Sequence, residues 1–502
     1  MPSTFNGLEV ARRALNTQQS ALYTTGHNIA NANTEGFTRQ RVNMTQTAPY
    51  PPASRNRPEI PGQVGSGVEA GSIERVRDSF LDIQYRQENS KVGFYETKAN
   101  AMSQMETILN EPSEEGLSHS MDQFWQSLQD LAVNPEDSGA RSVVRQRGIA
   151  VSEAFQYINS SLEGVRNNLN NEITVDQKQV NSYMDQINSL NQQISEIEPH
   201  GYLPNDLYDE RDRLIDGLSE LVNIKVTYDK SNGQPSSIAQ GIATVTLAGN
   251  GAANGVTLVD GATKEVNHMT FNFGDDNNVE NISFSDDPTV VEAHDFGITG
   301  KLKALMEGNG YLDQNGDAAG EFNVMLSNLD EMAEAFVAEF NTVHQQGTNL
   351  TDDQSYDFFE FDGAGRAAST IDVTDDIKQD KDKIAASLNG DSGDGENADL
   401  LSDVYTKLDI GLGEKTSVKS FYESAIGEMA VIAQEANRMV NNAGVLRQQV
   451  QENRQSVSAV SLDEEMTNLI KFQHAYNAAA RNMTTVDEML DRIINNMGLV
   501  GR

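Results

Sequence analysis

Cysteine is absent from this 502-residue chain, which removes disulfides, thiolate metal sites, iron–sulfur clusters and cysteine nucleophiles together. Aromatic residues are scarce at 7%, with a single tryptophan. Basic residues are few as well: 37 Lys+Arg against 75 Asp+Glu leave a net charge of −38. A surface that negative repels phosphate backbones, so nucleic acids and anionic membranes are excluded as partners. No apolar run approaches membrane-spanning length. The opening MPSTFNGLEVARRALN has no apolar stretch followed by a small-residue cleavage site, so a cleavable signal peptide is not expected.

What the chain does have is helical periodicity at both ends. Leu8, Leu15, Leu22 and Ile29 recur every seven residues, with the small Ala11, Ala14 and Ala21 between them. Near the finish, Leu462, Met466, Leu469, Gln473, Tyr476, Ala480, Met483, Asp487, Leu490, Ile494 and Met497 alternate steps of four and three. Such spacing lays one narrow stripe along a helix and requires a partner helix. The segment before it holds a second register, Val418, Tyr422, Ala425, Met429, Ile432, Ala436, Met439, Ala443, Leu446 and Val450. The two are out of phase, which predicts a joint around Gln455–Ser461, with Ser461 and Glu464 forming a capping box for the last helix.

Length alone predicts three or four domains. A long helix is expected from about Ser138 to Glu198, with a stutter at Val165–Leu169–Ile173 and a stop at Pro199, His200 and Gly201. Further helices are expected over Asp206–Val222, Ile73–Leu109, Met121–Ala132, Ile298–Gly308 and Glu321–Thr342. Between Ile224 and Phe284, short β-branched runs separated by Gly/Asn turns predict an all-β insert. The fold class is therefore mainly α with β inserts. Residues 1–45 with 456–502 form a terminal coiled-coil domain. Residues 46–223 with 296–350 and 415–455 form a helical layer; 224–295 are a β-rich insert and 351–414 a mixed, irregular acidic one.

Chemistry is harder to find. Asp313-x-Asn315-x-Asp317 opens like a calcium loop, but Ala318 and Val324 stand where the loop needs Gly and a bidentate Glu, so it reads as an acidic turn. Neither phosphate-binding glycine motif occurs, nor GxSxG, nor HExxH. Trp125 with Phe124, Met121 and Leu128 at helical spacing reads as core. No catalytic, cofactor-binding or metal-binding residue is assigned. His27 and His474 read as exposed or seam-edge residues.

The segment Asn28–Gln40, NIANANTEGFTRQ, is more specific. Asn33 to Gly36 can cap the first helix, Phe37 can fold back on the seam, and Arg39 and Arg41 can direct charge outward. Three Asn within six residues exceed what a cap needs and suggest amides bridging to a neighbouring subunit.

That segment, with STFNGLEVARRAL at the start and SLDEEMTNLIKFQHAYNAAARNMTTVDEMLDRIINNMG at the end, closely resembles the bacterial flagellar rod, hook and hook-associated proteins. The resemblance covers about a fifth of the chain; Phe37 departs from it where many relatives carry Tyr. It implies a noncatalytic structural protein, exported through the flagellar type III channel without a cleavable signal and placed outside the cell. There it would assemble as a helical layer joining hook to filament, touching copies of itself, the hook protein, a second junction protein on the filament side and an export chaperone. The residues this implies for subunit interaction are Leu8, Leu15, Leu22, Ile29, Asn31, Asn33, Thr34, Gly36, Arg39, Leu462, Met466, Leu469, Tyr476, Met483 and Leu490. The competing expectations are a hook or distal rod protein and, from a different class, a secreted enzyme carried on flagellar-type ends.

Overall fold

The computed structural model describes residues 5–51, 55, 62–109, 116–285, 289–352 and 354–496. Met497, the last residue of the expected C-terminal stripe, lies outside them. The chain opens with α1 (Asn6–Ala30), a hairpin of β1 (Gln40–Gln46) and β2 (Val68–Arg75), then α2 (Ser79–Leu109), α3 (Leu117–Val133), α4 (Ser138–Ile197) and α5 (Asn205–Leu221). Six strands follow: β3 (Ile224–Asp229), β4 (Ile242–Leu247), β5 (Thr257–Val259), β6 (Met269–Phe273), β7 (Val279–Phe284) and β8 (Val290–Glu292). Next come α6 (Lys301–Asn309), β9 (Tyr311–Leu312), β10 (Ala318–Ala319), α7 (Glu321–His344) and β11 (Phe359–Phe361). Then α8 (Ala367–Thr370), β12 (Ile371–Val373), α9 (Asp375–Gln379), α10 (Glu396–Asp403), α11 (Val418–Ser458) and α12 (Leu462–Asn496) complete the chain.

The long α4 extends about 90 Å at 1.5 Å per residue. Asp137 starts it by accepting from the Gly139 N–H, and Gly201, in the left-handed region at φ 81°, ends the turn that follows it. Its buried stripe runs through Phe155, Ile158, Leu162, Leu169, Ile173, Val180, Met184, Ile187, Leu190 and Ile194. Met184, rather than the expected Tyr183, takes the inward position. Around this spar pack α3, α5, α6, α7 and α8, with β4, β5, β6 and β12 also against it.

The β-rich stretch is two sheets. One is β3-β4-β5, antiparallel from Ile224↔Leu247 to Asp229↔Ile242; the other runs β10-β9-β7-β6, with β8 also on β7. Both share one apolar core with the helices.

Residues 351–414, expected to be a mixed, irregular acidic insert, hold the β11–β12 hairpin and the three short helices α8, α9 and α10. The adjacent Phe358 and Phe359 both turn inward against Phe124 and Phe340, at ring separations of 5.2–5.8 Å. Trp125 completes the cluster by stacking on Tyr405 at 4.9 Å. This confirms Phe124, Trp125, Met121 and Leu128 as core.

Two local expectations change. Ile73 belongs to β2, and the helix begins at Ser79. The β1–β2 hairpin itself was not foreseen, because only one of its strand residues, Gln40, is fully buried and no clean alternation marks it. At Asp313, the side chain accepts from the Asn315 and Asp317 N–H groups at 2.8 and 2.9 Å, closing a β9–β10 turn. Among the described residues, no group of three His, Asp or Glu side chains is set to hold a metal, and no helix is long and apolar enough to cross a membrane.

Candidate assembly interface

The two terminal helices pack on one another within the single chain. They run antiparallel: Gly7, early in α1, lies against Val486, late in α12, while Arg39, just beyond α1, meets Glu464 and Glu465 at the start of α12. The α11–α12 break falls at Ala459–Ser461, inside the expected joint. Only half of the expected capping box forms. The Ser461 hydroxyl accepts from the Glu464 N–H at 3.5 Å, but the Glu464 carboxylate goes to Arg39.

The inward row of α12 is Glu465, Leu469, Phe472, Tyr476, Ala479, Met483, Val486 and Leu490, a strict four–three repeat. Four expected seam residues, Leu469, Tyr476, Met483 and Leu490, are on it. Leu462 and Met466 are not: they point outward, as do Gln473, Asp487 and Ile494. The outer face therefore carries two apolar patches, Leu462/Met466/Ile470 and Met489/Ile493/Ile494, exposed by 43–71%, with a polar middle. A helix with apolar residues on two faces has a second partner to find.

On α1 the small residues sit deepest. Ala11, Thr17, Ala21, Thr24, Thr25 and Asn28 are buried, because the β1–β2 hairpin covers that side of the helix. Leu8, Leu15, Leu22 and Ile29 are only partly buried. Tyr23 and Phe5 stand exposed beside them.

The Asn-rich segment divides differently from the expectation. Asn28 fixes the hairpin to the helix: its Nδ2 donates to the Gln40 carbonyl at 2.8 Å and its Oδ1 accepts from the Gln40 N–H at 3.0 Å. Asn31 donates to the His27 carbonyl and accepts from the Thr34 hydroxyl, which closes the helix end locally. Asn33 is exposed. Gly36 holds φ at +80°, where a Cβ would also touch Arg213 at 3.4 Å. Phe37 does fold back, edge-on to His27 at 5.4 Å.

Arg39 does not direct its charge outward. Its Nε donates to Glu465 at 2.8 Å, its Nη atoms grip Glu464 at 2.8 and 3.1 Å, and its N–H donates to the Ser458 carbonyl at 2.9 Å. Glu465 is 2% exposed, so the pair is a clasp between the two chain ends. Arg41 is the outward one, paired with Glu74.

Below the clasp lies a cluster that composition and periodicity did not reveal. Four arginines interlock with four aspartates. Arg75 reaches Asp209 and Asp212 at 2.7 and 3.0 Å, and Arg77 reaches Asp82 and Asp212 at 2.6 and 3.3 Å. Arg86 meets Asp212 and Asp216 at 3.2 and 2.7 Å, and Arg454 meets Asp82 and Asp216 at 3.0 and 2.5 Å. These residues come from the end of β2 and the segment after it, α2, α5 and α11, so the cluster ties the base of the hairpin to three helices. Burial alone would raise the Asp212 carboxyl, yet Arg77, Arg75, Arg86 and Arg211 outweigh it and hold Asp212 well below the usual carboxylate range. Burial likewise works against the Arg86 charge, and the surrounding aspartates reverse it and push the guanidinium well above its ordinary value.

The signal was present in the sequence. Asp206, Asp209, Asp212 and Asp216 step by three, three and four, which puts four acids on one face of α5, while Arg75 and Arg77 share one side of an extended segment. Asp206 continues the same face upward to the motif, accepting from Gln40 Nε2 at 3.0 Å.

Charge is distributed unevenly between these parts. Residues 1–45 and 456–502 together hold eight Lys/Arg and eight Asp/Glu, so these ends are neutral and the whole acidic excess lies in the remainder.

Comparison with known proteins agrees with this geometry. Residues 8–38 match the family model "Flagella basal body rod protein" and residues 451–497 match "Flagellar basal body rod FlgEFG protein C-terminal". Those two matches cover the paired ends and define a flagellar axial protein. Residues 102–359 match the model "Flagellar hook-associated protein FlgK helical domain". The chain is 47% identical to flagellar hook-associated protein 1 of Bacillus subtilis (strain 168), covering all of both chains. It is 26% identical to the Escherichia coli (strain K12) protein of that name, over 97% of this chain and 98% of the other. The chain belongs to the flagellar hook-associated protein 1 family. A solved structure, the flagellar hook junction protein FlgK from Burkholderia pseudomallei, shares its fold with a TM-score of 0.60 at 14% identity, over 76% of this chain and all of that one.

Proposed function

We propose that this protein is a structural axial component of the flagellum, a junction adaptor seated between hook and filament. The observation that carries the reading is the antiparallel pair α1/α12, set in chain ends (1–45 and 456–502) that carry no net charge, closed inward by its own four–three seam and open outward through two apolar patches on α12. A surface without net charge can pack against copies of itself where the acidic layer beyond it would repel. Contacts of this kind, made head to tail between unlike faces, propagate along a helical assembly.

The subunit contact runs through Leu462, Met466, Ile470, Met489, Ile493 and Ile494, together with the exposed sides of Leu8, Leu15, Leu22 and Ile29. Asn33 and Gly36 lie at its edge. The hook protein lies below this layer and a second junction protein above it; an export chaperone accompanies the chain through the type III channel. Homologues of this family are structural proteins, and the role assigned here needs no catalytic step.

Gene deletion with electron microscopy of the cells is the decisive experiment. Bare hooks with flagellin released to the medium are the expected result; filaments still seated on hooks would refute the assignment.

A further inference from the structure

An asparagine followed by glycine is a chemically labile pair, because glycine has no Cβ to shield its backbone nitrogen from the side chain before it. The pair occurs seven times in this chain. Cyclisation needs that nitrogen free of a hydrogen-bond acceptor, and a backbone free to swing it onto the asparagine Cγ. The fold withholds one or the other at six of the pairs. Asn6 and Gly7 lie in the first turn of α1, where helical ψ keeps the nitrogen away from Cγ. The Gly255, Gly310 and Gly316 N–H groups donate to the Leu247, Met306 and Asp313 carbonyls at 3.0, 2.9 and 3.1 Å. The Gly390 N–H donates to the Ser387 hydroxyl at 2.9 Å. At Asn250–Gly251 the backbone is pinned on both sides: the Asn250 N–H donates to the Gly297 carbonyl at 3.1 Å, and the Ala252 N–H to the Asp295 carbonyl at 3.1 Å.

The remaining pair, Asn232–Gly233, differs from all of these. Both residues are exposed, in the connection between β3 and β4. Among the described residues, neither makes a hydrogen bond through backbone or side chain. The chain is held just before them, where the buried Ser231 hydroxyl donates to the Glu198 carboxylate, and just after them, where the Gln234 N–H donates to the Pro199 carbonyl at 3.4 Å.

We infer that Asn232 modifies itself spontaneously, passing through a cyclic imide to aspartate and isoaspartate while the other six pairs persist. The Gly233 nitrogen, its proton drawn off by hydroxide, attacks Asn232 Cγ. The new N–Cγ bond forms as the Cγ–Nδ2 bond breaks, and Nδ2 takes up a proton and leaves as ammonia. Water then opens the imide. Opening at Cγ leaves an ordinary aspartate; opening at the backbone carbonyl leaves the main chain running through Cγ, one methylene longer. Ammonia diffuses away, so the change is one-way and the converted fraction records the age of a molecule. The new carboxylate and the longer linkage fall beside Ser231, whose hydroxyl ties this connection to the fully buried Glu198 just past α4. Nothing in this chemistry depends on the assembly proposed above.

The test ages the purified full-length protein at neutral and at mildly alkaline pH, both folded and in urea, and sequences its proteolytic peptides by mass spectrometry. In the folded protein, Asn232 should lose its amide several-fold faster than any other Asn-Gly pair, faster still at the higher pH, with isoaspartate among the products. In urea the seven rates should draw together, because the protection at the other sites comes from the fold. The variant Asn232→Gln, whose longer side chain cannot close the five-membered ring, should no longer develop the more acidic form on isoelectric focusing. An Asn232 amide that persists in the folded protein but is lost in urea would overturn the inference. So would seven folded-state rates that match those in urea.

Discussion

Single residues in this fold carry unequal weight, and burial decides which. Asp212 is enclosed by Arg75, Arg77 and Arg86 at 3.0–3.3 Å, so replacing it with Ala leaves three guanidinium groups facing one another in a dry site. Breaking such a cluster costs about 3–5 kcal/mol. Urea unfolding of Asp212→Ala should show a loss of that order, whereas Arg41→Ala, at an exposed pair, should leave the midpoint within error. His344 is the residue through which pH acts. Burial pushes its imidazole down from 6.5 to about 4; Nδ1 donates to the Tyr356 carbonyl and Nε2 accepts from the Ala385 N–H at 3.0 Å. The folded protein resists a proton that the unfolded chain takes up, so stability is full above about pH 6.5 and falls as pH drops toward 4. The loss is on the order of 3 kcal/mol. Buried carboxyls held high by desolvation, Glu307 among them, slope the other way, so the comparison that isolates His344 is wild type against His344→Asn. A variant with the same pH slope as wild type would refute this assignment. Spacing puts Asp212 on an acidic face of α5, but neither its arginine partners nor the burial of the lone His344 can be read from the sequence.

Elements were more legible than residues, because helices announce themselves by period. The 60-residue α4, the α11–α12 break and both terminal helices follow from apolar spacing alone. The shallow β1–β2 hairpin does not, since Gln40–Gln46 buries too few apolar side chains to imprint a period of two. The α12 stripe shows a subtler limit. Its sequence carries two overlapping four–three rows, and only a second helix can decide which row it faces. Here α1 takes Leu469, Tyr476, Met483 and Leu490, leaving Leu462 and Met466 open. The two rows therefore predict different failures. Leu469→Asp should separate α12 from α1 and speed amide hydrogen exchange along both helices. Met466→Asp with Ile470→Asp should leave exchange and melting unchanged yet abolish incorporation into the flagellum. If the outward double variant assembles normally, the outer patches are not the subunit contact. Arg39→Ala tests the clasp in the same way: exchange should quicken over the first turns of α12, with the aromatic core around Trp125 unaffected.

At the scale of the whole molecule, charge and architecture are segregated together. The ends are neutral, and the layer and inserts hold the acid. Raising salt should promote self-association of the purified protein, because screening weakens repulsion between the acidic layers and leaves the apolar terminal contact nearly untouched. Sedimentation at about 0.05 M and 0.5 M salt checks this, and association that weakens with salt would mean the contacts are chiefly ionic. The placing of small sheets mid-chain between long terminal helices was legible from the change of hydrophobic period along the sequence. The common core that ties residues 351–414 to α3 and α7 was not, because Phe358 and Phe359 look like loop residues until Phe124 and Phe340 are beside them.

The antiparallel meeting of first and last helix has a consequence for biosynthesis. Residues 6–30 find their partner only when residues 462–496 arrive, and Arg39 waits on Glu465 across more than four hundred intervening positions. A polypeptide that ends between α11 and α12 retains every element of the shared core but leaves the first helix without its partner. Removal of residues 459–502 should therefore bare the α12-facing side of α1 and quicken amide hydrogen exchange along residues 6–30.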